Sequence, residues 1–263
     1  MTTGGEGRIL LDKHNDGKIW SLTISNQSRR NALTWLMYED LLRICRESEN
    51  DKDLRVMVIR GAGGKAFAAG TDIRGFADFV DSEDGVTYER KVSSYFEAFA
   101  SVKVPTIAVV EGVAAGGGVE LVALCDLVLA NSQAKFGIPV ATTLGNCTSP
   151  LVVKVLIERI GISLAKSMLL FSQFLTSQQL KEAGFVYQVA DGHELDTILK
   201  NLTDQVCNSA PLSLYAFKQM FLRHSTNANF EADDLIRLCY GSKDFSEGVK
   251  AFLSKQKIEW KGN

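Results

Sequence analysis

The sequence predicts an α/β protein whose C-terminal part is helical. Short apolar segments rich in β-branched residues alternate with helically spaced apolar residues through roughly the first half of the chain, as in proteins with buried parallel strands. From Pro150 onward, helical spacing dominates. The 263 residues suit one large domain, or a domain with a modest appendage.

The predicted strands and helices follow one another in a regular order. Segments rich in strand-forming residues are predicted as strands at residues 19–25, 54–60, 105–110 and 126–130. Segments with apolar residues at helical spacing are predicted as helices at residues 34–49, 87–101 and 116–124. Thr34 stands where the first helix begins, and its hydroxyl suits an N-cap. No Pro-rich linker precedes the later helices, so we expect them to pack on the core or on a neighbouring subunit.

The composition is that of a globular protein without a strong charge bias. Hydrophobic residues make up 46% and charged residues 23%, and the net charge is −2, so no overall field attracts nucleic acid or an anionic membrane. No segment reaches the ~18 consecutive apolar residues of a membrane span, and the first residues lack a signal-peptide pattern. The scattered cysteines, odd in number, favour reduced thiols and a cytoplasmic location. The histidines are far apart and form no metal-binding pattern, so no metal site is expected.

A glycine-rich segment, GAGGKAFAAGTDI, directly follows the second predicted strand at residues 61–73. It does not fit a phosphate-binding P-loop, because Ala66 stands where that motif needs Ser or Thr. A dinucleotide-binding turn fits only loosely, because Gly70 interrupts the long helix that such a turn should open. A simple surface turn does not explain the apolar AFAA in the middle of the segment.

A second glycine-rich segment lies at residues 110–126, where Gly116, Gly117 and Gly118 lead into an apolar helix. Each glycine there costs roughly 1 kcal/mol relative to alanine, so three of them indicate close approach of a ligand to backbone N–H groups. A helix N-terminus also offers unpaired donors and a partial positive charge. These features suit the stabilisation of a developing oxyanion.

Glu120 lies in the first turn of this helix. Taken alone, it would be interpreted as a solvent-facing carboxylate that favours the helix dipole. The residues that follow, LVALC at 121–125, leave little polar face, so the helix is predicted to be buried. A buried carboxylate beside a glycine-rich anion site is a candidate general acid/base.

Together, the two segments resemble the signature of the crotonase (enoyl-CoA hydratase/isomerase) superfamily. Its AFxAGxD loop is matched by AFAAGTD at residues 66–72, and its GxxxGGGxxL…CD helix start is matched by residues 112–126. Shorter similarities extend the resemblance over most of the chain: RRNAL at 29–33, FGIP at 136–139, AGFV at 183–186 and SEGVKAF at 246–252.

The resemblance implies a crotonase-like ββα spiral core that binds an acyl-CoA thioester, over residues 1–200, and a helical trimerisation region over residues 201–263. It implies that the N–H groups of Thr71 and Gly117 bind the thioester oxygen and stabilise an enolate, with Glu120 as the main acid/base. Members of this superfamily form homotrimers or dimers of trimers. Coenzyme A enters only as part of the substrate, so no separate cofactor is expected.

The resemblance also implies which residues contact CoA and substrate. Ala69 would approach the adenine, Arg29 or Arg30 the phosphates, and Lys218 the CoA of a neighbouring subunit. The other substrate-binding positions in the matched loops are Ala32, Asp72 and Ile73.

The chain departs from the hydratases of this superfamily at their second catalytic glutamate. That residue should follow Pro139, but Val140 stands there, and residues 141–148 contain no acid. Proton transfer by one positioned group contributes typically ~10²–10⁴-fold, so three alternatives remain: hydration with Glu120 alone, one-base isomerisation or decarboxylation, or binding without turnover. None of the polar residues nearby is a good base near neutral pH: Thr142, Thr143 and Cys147.

The intact glycine segments and Glu120 favour an enzyme, and hydration of an α,β-unsaturated acyl-CoA is the first expectation. A dinucleotide-dependent oxidoreductase is a rival and needs an acidic residue at a strand end ~20 residues after the glycines. Asp81 has that spacing, but residues 76–80 form a poor strand pattern. A non-catalytic acyl-CoA-binding protein is the other rival.

Overall fold

The chain is built on two β-sheets that are connected by repeated strand–strand–helix units. The structure, a computed structural model, describes residues 7–226 and 231–263. Along the chain, the strands are β1 (Arg8–His14), β2 (Ile19–Ser25), β3 (Val56–Gly61), β4 (Ala66–Ala68), β5 (Thr106–Val110), β6 (Val113–Ala115), β7 (Leu127–Ala130), β8 (Lys135–Gly137), β9 (Leu175–Thr176) and β10 (Gln188–Val189).

The helices cover both the intervals between these strands and the C-terminal part of the chain. They are α1 (Trp35–Glu49), α2 (Ser82–Ala100), α3 (Gly117–Ala123), α4 (Val140–Thr143), α5 (Pro150–Leu170), α6 (Ser177–Glu182), α7 (His193–Cys207), α8 (Pro211–Thr226), α9 (Asp233–Tyr240) and α10 (Lys243–Ser254). Helix α5 is kinked at Gly161, which has non-helical backbone angles. Within residues 7–226 and 231–263, no helix combines the length and apolar character needed to cross a membrane.

The larger sheet has the strand order β1-β2-β3-β5-β7-β10, and the smaller sheet has the order β4-β6-β8-β9. Strand β1 pairs with β2, and β8 with β9, in antiparallel fashion; the other neighbouring pairs are parallel. In the pairs β3–β4, β5–β6 and β7–β8, the first strand belongs to the larger sheet and the second to the smaller. Repetition of this unit, followed each time by a helix, gives the predicted ββα spiral.

Strands β3, β5 and β7 of the larger sheet are buried on both faces, which explains their continuous apolar runs. On one face, side chains such as Met57, Ile59 and Ala108 join the main core with α1, α2 and α3. On the other face, alternate residues of the same strands pack against α7, among them Val58 and Ile107. Because successive strand side chains point to opposite faces, a strand between two layers needs apolar residues at every position.

The predicted elements agree closely with the structure at β2, β3, β5, β7 and α1, whereas β1 and β10 of the larger sheet were not predicted. Strand β2 has the predicted bounds, and the Thr34 hydroxyl accepts a hydrogen bond from the Met37 N–H at 3.3 Å. Helix α2 begins five residues before the predicted position, because Asp81 caps it by accepting from the Glu83 N–H at 2.8 Å. Helix α7 runs across the predicted boundary between residues 200 and 201. The trimerisation role of residues 201–263 stays a prediction.

Candidate active site

The candidate site lies where three parallel strands of the smaller sheet end. Strand β4 leads into residues 69–71, β6 into the glycines that open α3, and β8 into Pro139 and α4. Since the carboxyl ends of neighbouring parallel strands lie at one edge of a sheet, these three connections are brought together. The common direction of the strands thus gathers segments that are up to about 70 residues apart in the chain.

The first two connections contact each other through their backbones, and glycine is required for this approach. A Cβ added at Gly118 would lie 2.3 Å from the carbonyl oxygen of Ala68, which is closer than real Cβ atoms come. Gly116 has φ +47° and ψ −124°, a conformation that residues with a side chain rarely adopt. A Cβ at Gly116 would also stand 3.5 Å from the Cα of Gly70. The glycine triplet therefore serves close packing of the two connections as well as the helix start.

Two backbone N–H groups at this contact have no hydrogen-bond acceptor in the part of the chain that the structure describes: those of Thr71 and Gly117. Leu33 pairs with the residues on either side of Thr71, donating to the Gly70 carbonyl and accepting from the Asp72 N–H, each at 2.8 Å. The N–H of Thr71 is left out of this pairing. A Cβ at Gly117 would be 3.2 Å from Thr71 Oγ1, so the two residues adjoin.

A cavity of about 130 Å³ opens beside these N–H groups. Its walls come from the connection after β4, the start of α3, one face of α2 and the segment that follows β8. The lining residues are Ala69, Gly70, Thr71, Ile73, Phe76, Tyr88, Glu89, Val92, Ala115, Gly116, Gly117, Glu120, Pro139, Val140, Thr143, Leu144, Asn146, Cys147 and Thr148. Three of these were predicted as catalytic residues, and the cavity brings them together: Thr71, Gly117 and Glu120.

The Glu120 carboxylate faces the cavity and is otherwise enclosed by protein. Burial raises the pKa of Glu120 to about 7, because the charged form loses its hydration. Thr148 Oγ1 donates a hydrogen bond to Glu120 Oε1 at 2.7 Å and lowers this pKa, while the nearby charge of Glu89 raises it. Desolvation is the largest of these effects, so both protonation states of Glu120 are populated near neutral pH. Such a group can both accept and deliver a proton.

Glu89 is a second carboxylate in the cavity wall, and it was not predicted. It lies half-buried on α2, and burial raises its pKa. Within the described residues, no hydrogen bond or ion pair reaches its carboxylate. A sequence signal was present: Val92, Phe96 and Phe99 form the buried face of α2, and Glu89 stands one turn before Val92 on that face.

A hydroxyl cluster lies next to the Thr71 N–H. The Tyr38 hydroxyl is hydrogen-bonded to Thr71 Oγ1 at 2.8 Å. Burial raises the pKa of Tyr38 well above its usual value and that of Tyr88 to about 12, so both phenols stay neutral. The ring of Tyr88 meets that of Phe76 edge to face, with centroids 4.7 Å apart. These aromatic side chains make one wall of the cavity apolar.

Val140 occupies the position of the missing glutamate and faces the cavity from the first residue of α4. The polar residues of the same segment are placed differently from one another. Thr143 lines the cavity, but its hydroxyl donates to the Pro139 carbonyl at 2.9 Å. Thr148, which sequence reasoning did not single out, is the residue that contacts Glu120. Its role depends on how the segment folds back over α3, and the sequence carries no direct signal for this.

A second cavity, of about 570 Å³, adjoins the first. Ala69 and Ala115 line both cavities, and two cations line the second: the predicted Arg30 and, in addition, Lys65. Lys65 lies in the GAGGK part of the first glycine-rich segment and was not singled out. The adjoining cavities thus combine a positively charged region with the region of Glu120.

The remaining predicted substrate contacts lie around these cavities. Arg29 donates to Asp72 at 2.7 Å, and the pKa of Asp72 falls to about 2, chiefly because Arg74 also donates to it. Arg29 is therefore held by an ion pair at the cavity rim. Ile73 lines the cavity of Glu120 and is 44% exposed. The Ala32 carbonyl accepts from the Asn26 side chain, so this residue supports the loop.

Lys218 lies in a buried polar network within the subunit. Its ammonium donates to the Val104 carbonyl at 2.7 Å and to Asp126 at 2.8 Å, and its side chain is only 7% exposed. Asp126 also accepts from the Thr106 N–H and hydroxyl. This network holds α8 against the ends of β5 and β7. A buried ammonium with these partners is directed inside the subunit, and the contact with a neighbour's CoA stays a prediction.

The fold and the two adjoining cavities define a protein of the crotonase type. The chain matches the family model described as "Enoyl-CoA hydratase/isomerase" over residues 14–263. The chain therefore belongs to the enoyl-CoA hydratase/isomerase family, and the dinucleotide-binding alternative is excluded as a family assignment.

Curated relatives and solved structures agree with this membership. The chain is 28% identical over 256 residues to the short-chain-enoyl-CoA hydratase of Clostridium acetobutylicum, covering 95% of this chain and 96% of the relative. It is 31% identical over 250 residues to the 2,3-dehydroadipyl-CoA hydratase of Escherichia coli, covering 93% and 96%. The structure of an enoyl-CoA hydratase from Mycobacterium smegmatis is similar with a TM-score of 0.88 and 25% identity, covering 97% of this chain and 99% of that one.

Proposed function

We propose that the chain adds water to an α,β-unsaturated acyl-CoA thioester, or removes it from the corresponding 3-hydroxyacyl-CoA. One observation carries this proposal: two adjoining N–H groups without acceptors, at Thr71 and Gly117, border the cavity that contains Glu120. Such a pair is suited to bind the thioester oxygen as an oxyanion hole. Glu120 lies in the same helical turn as Gly117, so its carboxylate is near the carbon next to the thioester carbonyl.

In this proposal, the N–H groups stabilise the negative charge that develops on the thioester oxygen. When the oxygen of water bonds to the β-carbon, the electrons of the double bond move through the α-carbon onto that oxygen and give an enolate. A positioned oxyanion donor contributes roughly 10²–10³-fold to such a step. Protonated Glu120 then delivers its proton to the α-carbon, which its pKa of about 7 permits at neutral pH. The attacking water gives up one proton to solvent, and uptake of a proton by Glu120 restores the starting state.

The CoA part of the substrate is proposed to extend through the second cavity. Arg30 and Lys65 line this cavity and suit phosphate groups by charge. Ala69 stands between the two cavities and leaves room for the ligand to pass. This placement retains the predicted role of Arg30 and adds Lys65 to the phosphate site.

One-base isomerisation of an enoyl-CoA is a second candidate, and a specific observation favours it. Val140 faces the cavity without a proton-transfer group. An isomerase needs one carboxylate that removes a proton from C2 of the acyl chain and returns a proton to C4 of the resulting dienolate. Glu120 can serve in that role. In such an enzyme, 3-enoyl-CoA would be converted to 2-enoyl-CoA without formation of a hydroxyl product.

Product analysis by mass spectrometry and NMR across short, branched and aromatic enoyl-CoA thioesters tests both candidates. We expect a 3-hydroxyacyl-CoA product and its loss in Glu120→Gln, with thioester binding preserved. Glu97→Gln is the matched control, because Glu97 is an exposed glutamate on α2. A double-bond shift without hydration would favour the isomerase. Binding without any turnover would contradict both proposals and favour a non-catalytic acyl-CoA-binding protein.

The subunit arrangement proposed for this chain is a homotrimer or a dimer of trimers. Exposed apolar side chains on α8 and α10 support it, among them Phe217, Phe221, Phe252 and Leu253. Light scattering coupled to gel filtration measures the mass of the particle, and a monomer at micromolar concentration would contradict the proposal.

A further inference from the structure

We propose that Glu89, on α2, is a second catalytic proton-transfer residue and takes the role of the acid that is absent at position 140. This inference rests on the proposed hydration of an acyl-CoA, since an isomerase would not need it. It assigns to a residue outside both family motifs the activation of the attacking water.

The position of Glu89 supports this role. Glu89 and Glu120 line the same cavity from different elements, α2 and α3, so a substrate in the cavity would be contacted by both. Val140 also lines the cavity, and the volume that a longer side chain would fill there is open to substrate or water. Two carboxylates around one reacting double bond suit the addition of water, since each can carry one of the two protons that move.

The absence of a partner distinguishes Glu89 from structural carboxylates of this chain. Several partly or fully buried carboxylates are paired with a cation: Asp40 with Arg8, Asp72 with Arg29 and Glu111 with Arg60. In contrast, the structure gives Glu89 no hydrogen bond or ion pair within the described residues, although burial raises its pKa. A half-buried carboxylate without a partner costs free energy. Contact of Glu89 with a substrate or a water in the cavity would offset this cost.

The charged and titratable groups around Glu89 favour a division of roles. Besides Glu89, the titratable groups that line the cavity are Glu120 on α3, Tyr88 on α2 and Cys147 after α4. Tyr38 on α1 interacts electrostatically with both carboxylates. No Lys or Arg among the described residues lines this cavity. The two carboxylates repel each other, so the pair preferentially holds one proton, and that proton resides on the more enclosed group, Glu120. Glu89 is then the ionised carboxylate that can accept a proton from water.

The proton and electron movements balance with these two groups. Ionised Glu89 takes one proton from water as the water oxygen bonds to the β-carbon, and the π electrons pass to the thioester oxygen. The enolate collapses as the α-carbon takes the proton of Glu120. Glu89 is then protonated and Glu120 ionised, and proton exchange with solvent restores the starting state. The net reaction adds one water across the double bond.

Two reactions of the same site separate this inference from the proposed function. Hydration of a 2-enoyl-CoA is expected to need Glu89 and Glu120. Exchange of the α-protons of a saturated acyl-CoA with deuterated water, followed by NMR, needs only Glu120 and the two N–H groups. We expect Glu89→Gln to lower kcat for hydration by roughly 10²-fold or more, to change KM less than about threefold, and to retain α-proton exchange. Glu97→Gln on the same helix controls for the substitution itself.

The pH profile supplies a readout that a purely structural role would not move. We expect the hydration activity of the wild type to fall at acidic pH, as Glu89 becomes protonated. The residual activity of Glu89→Gln should not show this fall. Unchanged hydration in Glu89→Gln would overturn the inference and leave the proposed function intact. Equal loss of hydration and exchange, with a lowered Tm, would also overturn it, because Glu89 would then be structural. A wild-type enzyme that does not hydrate overturns the proposed function and the inference together, and retained α-proton exchange would then favour one-base isomerisation.

Discussion

Replacement of Thr148 by valine should raise the pKa of Glu120. The Thr148 hydroxyl donates to Glu120 Oε1 at 2.7 Å and stabilises the ionised carboxylate, whose pKa is about 7. A hydrogen bond to a charged group contributes roughly 1.5–3 kcal/mol, and 1.36 kcal/mol corresponds to about one pH unit. Loss of the bond should therefore move the titration upward by roughly one to two pH units. At pH 7, the ionised fraction would fall from about half to roughly 1–10%.

The rate of α-proton exchange measures this change directly, because the ionised form of Glu120 removes the proton. The rate for Thr148→Val should fall by roughly tenfold near pH 7 and recover at higher pH. Thr143→Val is the matched control: Thr143 lines the same cavity, but its hydroxyl donates to the Pro139 carbonyl. The reasoning would be refuted if the pH dependence of the α-proton exchange rate were unchanged in Thr148→Val, or if it shifted equally in both variants.

Three further predictions concern stability. Because burial raises the pKa of Glu120 from 4.5 to about 7, the free energy of unfolding of the wild type should decline as pH rises through this interval. The decline between pH ~4.5 and pH ~8 should be about 3 kcal/mol in the wild type and absent from Glu120→Gln, and urea unfolding measures both. Gly118→Ala should lower both Tm and turnover, because the added Cβ would meet the Ala68 carbonyl, whereas Gly85→Ala, with open space around it in α2, should raise stability by roughly 0.5–1 kcal/mol. Lys218→Gln should cost about 1–3 kcal/mol of stability with little change in KM for acyl-CoA.

Each of these predictions has a contrary result. Parallel pH dependence of unfolding in wild type and Glu120→Gln would mean that the carboxylate is well solvated. Equal effects of the two glycine substitutions would mean that the backbone contact at Gly118 can relax. A large rise of KM in Lys218→Gln without loss of stability would restore the predicted contact with CoA.

Sequence patterns predicted strands β2, β3, β5 and β7 of the larger sheet, because their alternating or continuous apolar residues need no information beyond the segment itself, whereas β1 and β10 were not predicted. Strands β4, β6 and β8 are only three residues long and are rich in alanine and glycine, so they have little strand pattern. Their pairing depends on the spiral arrangement of the whole chain. The segment at β4 was predicted to be buried, and the structure shows it fully buried, but its membership of a second sheet could not be derived from its composition.

The candidate site divides in the same way. The glycine-led start of α3 and Glu120 could be predicted from the residues, because glycine at such a density indicates a local backbone requirement and Glu120 interrupts an apolar helix. Thr71 and the particular role of Gly117 were predicted only through the family resemblance. Glu89 and Thr148 could not, since each looks like an ordinary polar residue in its own segment. Their significance depends on where α2 and the segment after α4 are placed relative to α3. That placement is a property of tertiary packing.

The N–H groups of Thr71 and Gly117 belong to the main chain, so substitution of the side chains around them leaves both N–H groups in place. A change of side chain at Thr71 leaves its amide in place, and the amide of Gly117 is set by the course of β6 into α3. The proposed proton-transfer groups stand instead on α2 and α3, and residues of α4 line the same cavity. A combinatorial library at positions 89, 140 and 143 would therefore sample different proposed proton routes beside one unaltered pair of backbone N–H groups.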